Sequence, residues 1–121
     1  MGINSADSRP IYAQIAEDLK EMILSGELQE GERAPSTKEL SEFHGVNPTT
    51  SARAMTLLSE EGLVDKKRGL GMFVSANARR RIREERTRQF ARDFVLPLKR
   101  EAALLGLSDE DIAKFMSKEE L

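Results

Sequence analysis

The chain has no cysteine and no tryptophan, and it has a single tyrosine and a single histidine. Without cysteine there can be no disulfide and no thiolate metal site, a composition that fits a reducing compartment. With His44 as the only imidazole, no His/Cys/carboxylate cluster offers a metal site, and no nucleophile has a plausible base partner. Enzyme activity, a metal and a cofactor are therefore not expected. Acid pairs such as Glu60-Glu61 and Glu119-Glu120 read as solubilising surface. Long apolar runs are also missing, so no segment is expected to cross a membrane. No basic-then-apolar leader is seen, and Ala6 stands where a myristoylation pattern needs Ser or Thr. These absences point to a cytoplasmic protein of one small domain, or one domain with an appendage, built on 121 residues of which 39% are apolar.

An excess of positive charge is lacking too, since the formal net charge is -2. Its distribution says more than its sum. Residues 1–76 hold 8 Lys/Arg against 12 Asp/Glu, residues 77–100 hold 9 against 3, and residues 101–121 hold 2 against 6. The early acidic residues fall mostly before Asn47. The stretch from Asn47 through Lys67 and Arg68 into Arg79, Arg80, Arg81, Arg83, Arg86 and Arg88 is locally basic. A uniform binder of polyanions is disfavoured; a protein with one basic face is not.

Apolar residues are arranged with helical spacing over much of the chain. Pro10 opens the first run, with Ile11, Ile15, Leu19 and Ile23 four apart, and Ser25-Gly26 ends it. A short extended piece, Arg33-Ala34-Pro35, follows. Ser36-Thr37-Lys38-Glu39 is a capping box that starts a short helix with Leu40 and Phe43 on its apolar side, ended by Gly45. Asn47-Pro48 opens the next helix, whose inward positions are Ala54, Leu57 and Leu58 with Met55 beside them. Leu63-Val64 and Met72-Phe73-Val74 flank a charged tip, Lys66 to Gly71, and read as a β-hairpin. Two short helices joined by a tight turn are the helix-turn-helix pattern, and with the preceding helix and the hairpin they make a winged helix. From Ala78 a helical pattern runs to about Leu105. Pro97 lies inside it and should kink or break it nearby. Ser108 caps a last short helix.

Three motifs bear on function, and each has a bland reading beside the sharper one. The helix beginning Asn47-Pro48-Thr49-Thr50 starts with small hydroxyl side chains that allow close approach to another surface, as in the major groove of DNA. It is also simply a good cap. The cationic, glycine-bearing hairpin tip and the arginine run can meet phosphates, or can be a solvated turn and a solvated helix face. The stripe Phe90, Phe94, Leu98 and Leu105 can pack back on the winged helix or pair with a second copy.

At these residues the chain resembles the GntR family of bacterial transcription regulators. The resemblance rests on P-I-Y-A-Q-I (10–15), S-G-E-L-Q-E-G-E-R-A-P-S-T-K-E-L (25–40), V-N-P-T-T (46–50), E-G-L-V (61–64) and R-G-L-G-M-F-V (68–74). The N-P pair, the R-G-L-G wing and the short tail are similar to the YtrA subfamily, which implies a C-terminal helical pair used for dimerisation. By position, the resemblance implies DNA contacts at Lys38, at Asn47, Thr49, Thr50 and Arg53, and at Arg68 and Gly69 in the wing. The chain departs from the family pattern at four of its positions. Lys38 replaces the usual Arg, so a point charge stands for a bidentate fork. Ala34 replaces a Leu and Ser51 an inward Val, which imply a less stable domain. Met72 replaces a wing Thr.

The expectation is a mainly α fold with a small β-hairpin wing and a short C-terminal α-helical dimerisation tail. Residues 1–9 form a loose N-terminus, 10–76 a winged helix-turn-helix DNA-binding domain, and 77–121 a helical dimerisation region. The expected function is sequence-specific transcriptional regulation, by repression, as a homodimer on an inverted-repeat operator of double-stranded DNA. The alternative is a winged helix that serves as a protein-interaction module. Any small-molecule effector is expected to bind between elements, because the tail is too small to enclose one.

Overall fold

The computed structural model describes residues 6–117. Helix α1 covers Ile11–Ser25, α2 Thr37–His44 and α3 Pro48–Glu60; strands β1 (Val64–Lys67) and β2 (Gly71–Val74) follow, then α4 (Ala78–Phe90), a π-helical segment (Ala91–Val95), α5 (Leu96–Leu105) and α6 (Asp109–Ser117). The mainly helical chain with one antiparallel pair is the winged-helix architecture with C-terminal helices that the sequence implies. Two compact units divide the chain, one ending at Arg83 and the other beginning at Glu84.

In the first unit, the four-residue spacing of α1 places Ile15, Leu19 and Ile23 on one buried face, joined by Ala16. That face meets Leu40 of α2, Ala54, Met55 and Leu58 of α3, and Leu63, Val64 and Val74 of the wing in one cluster. Each fully buried Ile or Leu contributes roughly 1.5–3 kcal/mol. The expected domain ended at residue 76. The compact unit runs further because Ala78 and Ile82, from the start of α4, are buried in the same cluster.

Helix boundaries follow local chemistry. Ser36 Oγ accepts the Glu39 amide at 3.1 Å while Glu39 Oε1 accepts the Ser36 amide at 2.9 Å, completing the capping box of α2. Gly45 ends that helix with φ 67°, a left-handed conformation that glycine adopts at little cost. Phe43 departs from expectation: it is 75% exposed rather than on the buried side of α2. Leu40 alone of the expected pair joins the core, and Val46, just past the turn, is half-buried against the cluster. The Phe43 ring lies edge-on to His44 at 4.9 Å.

The wing has more pairing than a hairpin. Val64 pairs with Val74 and Lys67 with Gly71 in antiparallel register. The extended piece before α2 adds to the other edge of β2, where the Ala34 amide donates to the Met72 carbonyl at 2.8 Å and the Val74 amide donates to Glu32 at 2.9 Å. Ala34 is buried at that junction.

In the second unit, Pro97 neither breaks the chain nor ends the helix. A proline lacks the amide proton and crowds the carbonyl four residues back. The turn before it widens instead, so that the Leu96 amide donates to Ala91, five residues back, and Pro97 falls in the first turn of α5. Gly106, with φ 69°, ends α5. Ser108 and Asp111 form a second capping pair at the start of α6. Ala102 is the one buried hydrophobic among this unit's described residues, whereas Phe90, Phe94, Leu105, Phe115 and Met116 are exposed.

Candidate nucleic-acid interface

The start of α3 is built around Asn47. Its Oδ1 accepts the Thr50 amide at 2.9 Å and the Thr50 hydroxyl at 3.1 Å. That oxygen is therefore occupied, and the side-chain NH₂ is the group available to an outside acceptor. Thr49 and Arg53 are exposed on the same helix, and Thr50 is half-buried. Pro48 has no amide proton and the Thr50 amide is capped by Asn47, so the Thr49 amide is the backbone donor this helix N-terminus offers an anion, with no long side chain before Arg53 to hold it away.

Ser51, one step inside, explains how α3 stays seated. It is fully buried, and Ser41 of α2 lies 2.9 Å away, hydroxyl to hydroxyl. The resemblance puts an inward-facing Val at this position, and the serine there implies a less stable domain. The structure shows instead a hydrogen bond that ties the two helices of the motif together.

Lys38 is exposed in the first turn of α2. Beside it, the Glu39 carboxyl is held below the usual glutamate range by its hydrogen bonds to the Ser36 amide and hydroxyl. In the wing, Arg68, Gly69 and Leu70 make the tip, closed by the Leu70 amide donating to Lys67 at 2.9 Å, with Gly69 at φ 78°. Lys67 lies 4.5 Å over the Phe73 ring. An open groove of 470 Å³ separates α3 from the wing, with Arg33, Thr56 and Lys66 among its lining residues.

The cations sort into two classes. Lys20 pairs with Glu61 at 2.7 Å, and Arg88 with Glu85. Within the arginine run, Arg79 donates to the Leu24 carbonyl at 3.1 Å and Arg81 to Gly62 at 3.4 Å, so these two staple α4 to the winged helix. Among the described residues, Lys38, Arg53, Lys66 and Arg68 have no ion pair. Unpaired cations keep all their donors for an external anion.

Other chemistry finds little support. Among the described residues no group of three His, Cys, Asp or Glu side chains is placed to hold a metal ion. No described helix is long and apolar enough to cross a membrane. Asp18, whose carboxyl is raised by burial, lies in a separate groove with Leu40 and Phe43.

Residues 11–74, from α1 to the end of β2, match the bacterial regulatory proteins of the gntR family. The chain belongs to the GntR family. It carries that family's winged-helix DNA-binding domain, and the relatives it matches are named as transcription regulators, not enzymes. It is 38% identical over 77 residues to the HTH-type transcriptional repressor YtrA of Bacillus subtilis, covering 64% of this chain and 59% of that protein. The chain thus spans little more than half the length of that relative. The crystal structure of a GntR-family transcriptional regulator from Bacteroides thetaiotaomicron is 33% identical, with a TM-score of 0.75 over 88% of this chain and 93% of that one. The DNA-binding domain of AraR, solved in complex with its operator ORX1, is 31% identical, with a TM-score of 0.55 over 62% of this chain and 90% of that one.

Sequence reasoning missed two residues of the GntR winged helix. Arg33 lies against Gly71, where an added Cβ would sit 3.1 Å from Arg33 Nε and the backbone has φ 112°. Glycine at 71 is favoured by that backbone conformation, and it lets the Arg33 side chain lie close. Tyr12 lies under the Arg53 guanidinium, 4.2 Å from it. Neither contact has a local signature, since each joins residues far apart in the chain.

Proposed function

We propose that this GntR protein is a cytoplasmic, homodimeric transcription regulator that represses by binding an inverted-repeat operator, one winged helix per half-site. In this reading α3 enters the major groove. Asn47, Thr49, Thr50 and Arg53 meet base edges and nearby phosphates, Lys38 meets the backbone from α2, and Arg68 and Gly69 meet it from the wing. The carrying observation is that α2, α3 and the wing each present a cation with no ion pair among the described residues, Lys38, Arg53, and Lys66 with Arg68, while Arg79 and Arg81 at the start of α4 donate to backbone carbonyls. The AraR complex with operator DNA supports the same use of the fold.

Dimerisation rests on the second unit. Phe90 is 56% and Phe94 66% exposed, their rings 5.8 Å apart, and Leu105 is 62% exposed. Leu98 is half-buried beside them. Aromatic side chains exposed in a row are costly in water and favour a partner surface. A second copy supplies one with the same symmetry as an inverted repeat. The repressor assignment follows the name given to YtrA.

Selection of bound sequences from a random DNA pool, followed by gel shifts across a salt series, tests the proposal. A selected inverted repeat whose affinity falls steeply with salt is the expected result. Exposed Phe43 favours the other reading, a protein-interaction module. No sequence-selective binding at low salt would decide for it.

A further inference from the structure

We infer that Tyr12, in the first turn of α1, is a positioning residue for DNA recognition, acting through Arg53. The inference deepens the proposed function and rests on α3 being the element that reads DNA. Arg53 CZ lies 4.2 Å from the centroid of the Tyr12 ring, within the distance of a favourable cation–π stack. Among the described residues no carboxylate pairs with this guanidinium.

The difference between stacking and pairing matters chemically. An ion pair uses the in-plane N–H donors of arginine, whereas a stack on an aromatic face uses the faces of the group and leaves those donors free. Tyr12 is itself seated, half-buried against the core cluster, so its ring is a fixed platform. An exposed arginine otherwise loses the freedom of a long flexible side chain when it binds. Stacked in advance, Arg53 has already lost much of it, and its fork is held ready for a pair of acceptors. On DNA such a pair is either guanine O6 and N7 or two phosphate oxygens.

The experiment uses the full chain and the DNA it selects, with melting temperatures measured for every variant. Tyr12→Leu is expected to bind roughly three- to fivefold more weakly, and Tyr12→Phe, which keeps the ring, to bind as wild type. Arg53→Lys, which leaves the core side of α3 untouched and replaces the planar fork by a point charge, should lose as much as Tyr12→Leu. In an Arg53→Ala background, Tyr12→Leu should cost nothing further, a result that a purely structural role for Tyr12 would not give. Repeating the selection with Arg53→Ala separates the two acceptors: relaxed preference at one base pair marks guanine, and uniform loss with a shallower salt slope marks phosphate. Tyr12→Phe as weak as Tyr12→Leu would overturn the inference, as would a full Tyr12→Leu penalty without Arg53. If Arg53→Ala binds as wild type while Thr50→Ala is impaired, the inference fails and the groove assignment stands. If wild type selects no DNA, both fall.

Discussion

Ser51 and Thr50 sit side by side in α3 and have opposite duties. Ser51 faces in, fully buried, with its hydroxyl 2.9 Å from that of Ser41. Removing one partner leaves the other to find water or remain unsatisfied, so Ser51→Ala should destabilise the protein by about 1 kcal/mol. Changing both, Ser41→Ala with Ser51→Val, replaces the pair by apolar groups and should recover that loss in thermal denaturation. A double variant less stable than either single would refute this account. Thr50 is bonded to Asn47 by both its amide and its hydroxyl. Thr50→Ala removes the second bond and keeps the first, so α3 stays capped. We expect it to lose roughly 1–3 kcal/mol of specific affinity with an unchanged melting temperature. Wild-type affinity in a competition gel shift would move the groove contact elsewhere on α3.

The start of α2 and the wing each support a prediction at the level of the element. The Glu39 carboxyl is held down by the Ser36 amide and hydroxyl. A carboxylate whose folded value is depressed adds stability that is present above its unfolded value. That stability is lost as the pH falls through the lower, folded value. Below the usual glutamate range, wild type should therefore lose stability that Glu39→Gln lacks throughout, and the difference between their acid denaturation curves should shrink as the pH drops. A constant gap would show that the cap does not titrate with folding. In the wing, Arg68 has no ion pair among the described residues and stands next to Gly69 at the tip. Arg68→Ala should weaken binding to all sequences alike and reduce the salt slope by roughly one phosphate's worth. A selective loss at one base pair would instead put Arg68 in a groove.

At the scale of the whole molecule, the two units have different economies. The first closes its own core, borrowing Ala78 and Ile82 from α4. The second leaves Phe90, Phe94, Leu105, Phe115 and Met116 exposed. We expect Phe94→Glu to convert a dimer to a monomer in sedimentation equilibrium while the first unit keeps its fold. Affinity for the full inverted repeat should fall on the order of a hundredfold or more, because the second half-site contact is no longer intramolecular. A wild-type chain that sediments as a monomer would remove the basis for this prediction.

How much of this was legible in the sequence depends on the range of the interaction. The capping box at Ser36, the cap at Asn47, the glycine stop at Gly45 and the hairpin with its charged tip are local devices, each set by residues within a few positions, and they fall where the sequence places them. Family-specific motifs in order carried the fold class in the same way. The exposure of Phe43 is not legible, because helical periodicity does not say how far a core extends, and the cluster takes Leu40 from α2 without it. Pro97 was legible as a disturbance, but whether the helix would break or widen depended on the Leu96 amide reaching Ala91. The Ser41–Ser51 bond, Arg33 against Gly71, Arg79 on Leu24 and Arg53 over Tyr12 join residues that only the packed fold brings together. Side-chain chemistry and short-range periodicity determined the elements and their ends. Which cations are spent on the protein's own carbonyls, and which are left with their donors free, was decided by tertiary contacts, because pairing requires groups to meet in space.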